Sequence, residues 1–262
     1  STGAAVLKRE GLVRVRRPRD RSRGPTAPLG PITRPNEVWT TDFKGEFRTG
    51  DRRYCYPLTL RDGFSRYVLR CDALLSRSYA LTRRGFERSF AEFGLPVRIR
   101  SDNGGPFAGP GLGRLSRLNV WWMRLGIIPE RIGLGRPEQN GSHEQFHRVL
   151  KAETTRPPAA TARGQQRRFR AFCREYNDVR PHESLQDQPP ATYYHASARR
   201  LPARLPPLVY PGHVEVRLVS SAGCISWRGT PIFLTEVLNG EHIALEEVAD
   251  GLWTLSFASV TL

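Results

Sequence analysis

Between Val38 and Leu74 the apolar and β-branched residues fall into three short runs, VWTTDFKGEF, YCYPLTLRD and RYVLRCDAL, separated by turns around Gly50 and Gly63. Runs of this kind predict strands, and three in succession predict an antiparallel meander. The pattern then changes period. In ALTRRGFERSFAEFG, residues Leu81, Phe86, Phe90 and Phe93 stand near helical spacing among Arg and Glu, and the helix is expected to stop at Gly94 ahead of Pro96. VRIR predicts a fourth strand, which a helical crossover places parallel to a strand of the meander. RLSRLNVWWMRLG reads as a second helix, IIPERI as a short fifth strand, GLGRPEQNG as a flexible loop and QQRRFRAFCREYN as a further helix.

Both ends of the chain depart from these patterns. Residues 1–35 alternate Arg with Pro and Gly and predict a basic, extended arm, serving either as a phosphate-tracking segment or as a solvated linker. Ser1 in place of Met suggests a processed chain or a fragment. A main domain is expected over 36–200, a proline-rich linker over 201–212, and a small all-β barrel over 213–262, where short strands alternate with turns at Gly223, Asn239-Gly240 and Asp250-Gly251.

Charge narrows the possible partners. The formal net charge is +16, and only Lys8, Lys44 and Lys151 are lysines, so arginine carries nearly all of the positive charge. A GC-rich genome explains the choice of arginine but not the excess, and the excess favours a polyanion such as nucleic acid. The excess is uneven: residues 1–35 carry +7 and residues 208–262 carry −4, so the C-terminal module is not an obvious DNA clamp. Cys55, Cys71, Cys173 and Cys224 form no C-x-x-C pair, and no signal peptide or run of eighteen apolar residues is present. The expectation is a soluble intracellular protein with reduced thiols.

Two aspartates stand where strand ends can hold chemistry. Asp42 lies in the first strand and Asp102 where the fourth runs into SDNGG; if those strands are neighbours, the carboxylates are side by side. Adjacent carboxylates repel unless a cation or proton intervenes, and hard oxygen ligands suit Mg²⁺ or Mn²⁺ rather than zinc. Each also has an ordinary explanation, Asp42 as an edge-strand charge and Asp102 as a turn residue capping its own backbone. Asp62 in a hairpin turn and Asp72 at the end of an edge strand read as structural.

The stretch GRPEQNGSHEQFHRVLK contains two further candidates, Glu138 and Glu144. Ser142 and Gln145 form a capping-box pattern after the Asn140-Gly141 turn, which puts Glu144 in the first turn of a helix. Phe146, Val149 and Leu150 are expected to be buried, with Glu144, His147, Arg148 and Lys151 sharing the opposite face. Glu138 follows Pro137 in a loop with no regular element to hold it, so a metal ligand requiring rigid support points to Glu144. An acidic residue at a helix N-terminus is also commonplace for the dipole alone.

Taken together, WTTDF, IRSDNGGPF and GRPEQNGSHEQFHRVLK resemble the insertion-sequence transposases whose catalytic core is that of retroviral integrases. Weak singly, these motifs are specific in this order, and the resemblance extends to YNDVRPHESL and the C-terminal module. It implies an α/β, ribonuclease H-like fold, a five-stranded mixed sheet flanked by helices. It also implies an acidic triad of Asp42, Asp102 and Glu144 holding two Mg²⁺ (or Mn²⁺) ions for phosphodiester cleavage at transposon ends and strand transfer into target DNA. The commonest spacing in such enzymes lands here on Glu138, whereas the local pattern NGSHEQFHRVLK selects Glu144. Relatives usually carry a helix-turn-helix domain, and VLKREGLVRVRR looks like the tail of one.

Further expectations follow from this resemblance. Gln139, Asn140, Arg148 and Lys151 are the expected DNA contacts, although a basic helix face also occurs as plain solvated surface. The chain is expected to form a homo-oligomer on DNA, with no membrane association, in the cytoplasm of a bacterium at its nucleoid. Trp121 and Trp122 read as packing residues and His182 as the anchor of a turn. The competing class is a transposase relic that binds DNA or assembles without catalysis; a plain nuclease would need a fourth acidic ligand.

Overall fold

The computed structural model describes residues 29–133 and 141–262. Strands β1 (Val38–Phe43), β3 (Tyr54–Asp62) and β4 (Val68–Leu74) form the meander, and a two-residue strand β2 (Phe47–Arg48) folds back on β3. Helix α1 (Tyr79–Phe93) carries the chain across the sheet to β5 (Arg98–Ser101), which runs parallel to β1. A shorter helix, α2 (Arg117–Arg124), leads to β6 (Ile128–Arg131), parallel to β5. The strand order is therefore β4-β3-β1-β5-β6, the mixed sheet that the sequence pattern implies.

Alternation along the strands separates two cores. On one face Trp39, Leu58, Leu60 and Ile99 meet Phe86 and Phe90 of α1 and Leu118 and Trp122 of α2. On the other, Cys55, Val68 and Cys71 meet Phe146 and Leu150 of α3 (Gly141–Thr154) and Phe169, Phe172 and Tyr176 of α4 (Ala162–Asp178). Side chains such as Trp39, Trp122, Phe86 and Phe146 are fully buried, and each contributes about 1.5–3 kcal/mol relative to exposure. The termini of α1 are closed by Ser78, whose hydroxyl accepts from the Leu81 N–H, and by Gly94 at φ +76°, a conformation that disfavours a side chain. Ser116 and Asn119 form a reciprocal capping box at the start of α2.

Beyond residue 213 the strands pair as two sheets, not as one closed barrel. Strands β7 (Glu215–Leu218), β10 (His242–Ala249), β11 (Leu252–Phe257) and β12 (Val260–Thr261) form one antiparallel sheet, and β8 (Cys224–Trp227) and β9 (Thr230–Phe233) form a hairpin. Their shared core, with Ile225, Leu238, Ile243 and Phe257, takes in Leu115, Val120 and Met123 from the α2 region. Arg124 adds an ion pair to Glu241 at 2.7 Å. The module thus packs on the back of the helix that delivers β6.

Asp62 and Asp72 are structural in their contacts. Asp62 accepts from the backbone N–H groups of Asn36 and Ser65 and from the Ser65 hydroxyl, and Asp72 pairs with Arg88 and Arg70. Trp121 and Trp122 are buried, and His182 packs edge-on to Tyr176, with ring centroids 4.7 Å apart, at the head of a turn. All four cysteines are free. Among the described residues no helix is long and apolar enough to cross a membrane. Most of the N-terminal arm and of the GLGRPEQNG loop, including Glu138, Gln139 and Asn140, lies outside the described residues.

Candidate active site

The site forms where β1 and β5 end side by side. Thr41 pairs with Ser101, so Asp42 and Asp102 are the next residues of two parallel neighbours. Burial pushes the Asp42 carboxyl up to about 7, and the negative charges of Asp102 and, more weakly, Glu144 add to it against the Phe43 backbone N–H and Lys44. Burial also raises the Asp102 carboxyl, opposed by the Gly104 N–H and by Arg77. Two carboxylates held this way leave an electrostatic deficit that a cation removes.

The details around Asp102 agree with a cation ligand. Its Oδ1 is buried and has no hydrogen-bond partner among the described residues, an arrangement that costs about 1–3 kcal/mol unless something else satisfies the atom. Gly104 leaves room for the other oxygen, since a Cβ there would lie 2.9 Å from Oδ2. Among the described residues no three His, Cys, Asp or Glu side chains converge closely enough to enclose an ion. Glu144, the carboxylate expected as the third ligand, stands exposed in the first turn of α3, within electrostatic reach of Asp42. An all-oxygen set of this kind fits Mg²⁺ or Mn²⁺.

Helix α3 is fastened to the sheet by groups that side-chain polarity alone does not reveal. Its buried residues are His143, Phe146, His147, Leu150 and Thr154. His147 is therefore not on the exposed face with Glu144, Arg148 and Lys151, as its polarity suggests; those three are exposed and His147 packs inward. Both imidazole Nε2 atoms converge on the Thr59 hydroxyl, at 2.7 Å from His143 and 2.8 Å from His147. His143 Nδ1 lies 3.0 Å from the Thr40 hydroxyl. Burial drives both rings to the neutral form, His143 well below its ordinary value and His147 to about 3, with nearby positive charge adding to the effect.

Ser142 differs from its expected capping role, because the helix already includes Gly141. The Ser142 hydroxyl accepts from Arg66 at 2.7 Å and its carbonyl from Arg61 at 2.8 Å. Arg61 is buried with its guanidinium 4.7 Å from the centroid of the Phe146 ring, and burial lowers it to about 10, still charged at neutral pH. Lys44 is a further addition beside Asp42. Burial and the charge of Lys151 lower it, which places these lysines within electrostatic reach of each other.

Two family models, both described as Integrase core domain, match residues 32–137 and 125–190. The chain is 31% identical over 186 residues to the uncharacterized 39.2 kDa protein of insertion element IS476 from Xanthomonas euvesicatoria, covering 69% of this chain and 51% of that protein. It is 28% identical to the uncharacterized 31.7 kDa protein of insertion element IS407 from Burkholderia multivorans, covering 67% of this chain and 62% of that one. The match thus spans between half and two thirds of these relatives. In fold, the chain is similar to a chain of the simian T-cell lymphotropic virus intasome solved in complex with the PP2A regulatory subunit B56 gamma, with TM-score 0.52, 14% identity and coverage of 90% and 84%. The mixed sheet, the two family matches and the insertion-element relatives together identify the chain as a member of the integrase core family.

Proposed function

We propose that this chain catalyses metal-dependent phosphodiester cleavage at transposon ends and strand transfer into target DNA, with Asp42, Asp102 and Glu144 as the metal-holding carboxylates. The observation that carries this reading is the juxtaposition of Asp42 and Asp102 at the ends of parallel neighbours, with a buried Asp102 oxygen that has no hydrogen-bond partner among the described residues. Two Mg²⁺ or Mn²⁺ ions held there would supply an activated oxygen nucleophile and stabilise the leaving 3′-oxygen. No protein nucleophile is required.

The chain's own residues position and neutralise. Arg148 and Lys151, exposed on α3 beyond Glu144, bind backbone phosphates, and Lys44 adds positive charge from the β1 side. Gln139 and Asn140, which precede α3 in the sequence, contact DNA. Backbone contacts of this type fix the register of the duplex without reading its sequence. A homo-oligomer follows from the need to hold two transposon ends together, and in a bacterium the DNA it would act on lies in the nucleoid.

The test is cleavage of duplexes carrying the ends of the parent element, with Mg²⁺ or Mn²⁺. Asp42→Asn and Asp102→Asn each abolish product while retaining DNA binding. Binding without metal-dependent cleavage by the wild type would favour a catalytically reduced assembly protein instead.

A further inference from the structure

Thr59 lies fully buried on β3, on the sheet face covered by α3, and its single hydroxyl meets three partners. Its Oγ1 is 3.0 Å from the Asp42 carbonyl oxygen, 2.7 Å from His143 Nε2 and 2.8 Å from His147 Nε2. A hydroxyl has one proton to give and two lone pairs to receive. A carbonyl cannot donate, so the Asp42 contact takes the proton, and both imidazoles then donate Nε2–H to the lone pairs.

We infer that Thr59 is a positioning residue that fixes both histidines as Nε2–H tautomers and so holds the first turns of α3, with Glu144, against the strand that carries Asp42. The remaining nitrogens fit this assignment. His143 Nδ1 accepts from the Thr40 hydroxyl at 3.0 Å, and His147 Nδ1 lies 3.7 Å from Asp42 Oδ2, too far for a hydrogen bond that would require a proton on Nδ1. Thr40 and Asp42 are two residues apart on β1 and share a face, so one strand receives both imidazoles. Glu144 lies between His143 and His147 in the chain, and displacing that turn displaces its carboxylate. Productive metal geometry tolerates errors of only about 0.5 Å.

The inference rests on the proposed metal-dependent reaction, and the test separates the two. Histidine nitrogen-15 NMR of the full chain, Mn²⁺ titration and DNA-end cleavage are compared for wild type, Thr59→Ser and Thr59→Val. The wild type should show both rings as Nε2–H, and Thr59→Ser, which keeps the hydroxyl, should keep that pattern with cleavage within about threefold. Thr59→Val, nearly isosteric, leaves two imidazole N–H groups without an acceptor and should weaken Mn²⁺ binding and cleavage by about tenfold or more.

Wild-type Mn²⁺ affinity and cleavage in a folded Thr59→Val chain would overturn the inference and leave the proposed function standing. An Nδ1–H form of either ring in the wild-type spectrum would also overturn it, whether or not the valine variant folds. A wild type that neither binds Mn²⁺ nor cleaves would overturn both.

Discussion

His147 Nδ1 lies 3.7 Å from Asp42 Oδ2, yet the two do not form an ion pair. Burial holds His147 neutral to about pH 3, while the Asp42 carboxyl titrates near 7. A buried base and a buried acid adjoin, each pushed toward its uncharged form by the same desolvation. They make opposite demands on pH.

A histidine with a depressed folded value contributes stability that is present above its unfolded value of 6.5 and is lost as pH falls toward about 3. At pH 5 this amounts to about 2 kcal/mol for a single such histidine. His147→Asn, which has no titrating ring, should therefore lose less Tm between pH 7 and pH 5 than the wild type. Equal losses would contradict a neutral buried His147.

Asp42 predicts the reverse trend. Its folded value is raised, so its charge destabilises the fold increasingly from pH 3.8 upward and fully above about pH 7. Asp42→Asn should accordingly raise Tm at pH 8 in metal-free buffer. Adding Mg²⁺ should raise the wild-type Tm by several degrees at pH 8, less at pH 5, and leave Asp42→Asn nearly unmoved. Differential scanning fluorimetry across this grid of conditions checks all three outcomes.

Gly104 is predicted to be required for activity more than for stability. An added Cβ would stand 2.9 Å from Asp102 Oδ2, so the carboxylate must move. Gly104→Ala should reduce DNA cleavage about tenfold or more through misplacement of that ligand, with a Tm change of only a few degrees. Unimpaired cleavage would show that the Asp102 oxygens are free to shift without consequence.

Arg148 and Lys151 are exposed on α3, and their replacement should leave Tm unchanged. Each phosphate contact removed should lower the slope of log affinity against log salt by about 1. Fluorescence anisotropy between low and physiological salt measures this directly. A slope unchanged in the double alanine variant would remove these residues from the DNA interface.

The sheet was legible because its signals are local. Alternating runs around Trp39, Leu58 and Leu69 predict strands, and the crossover through Phe86 and Phe90 makes β5 parallel to β1, which brings Asp42 and Asp102 together. The attachment of α3 was less legible. His143, Phe146, His147 and Leu150 follow helical periodicity, so the buried stripe was present in the sequence, but reading histidine as polar turned His147 toward solvent. Thr59 carries no local signal at all, since its partners His143 and His147 lie more than eighty residues away and only sheet register brings them together. The C-terminal strands were legible one by one. Their pairing into a four-stranded sheet and a hairpin, over a core shared with Leu115, Val120 and Met123, is long-range and leaves no mark on any single strand.

The proposed metal site stands or falls on whether α3 supplies its third carboxylate. Cleavage and strand transfer on element-end DNA with Mg²⁺, compared between Glu144→Gln and Glu138→Gln, tests it most directly. Glu144→Gln should lose activity and Glu138→Gln should retain most of it. Equal loss in both variants, or loss only with Glu138→Gln, would contradict it.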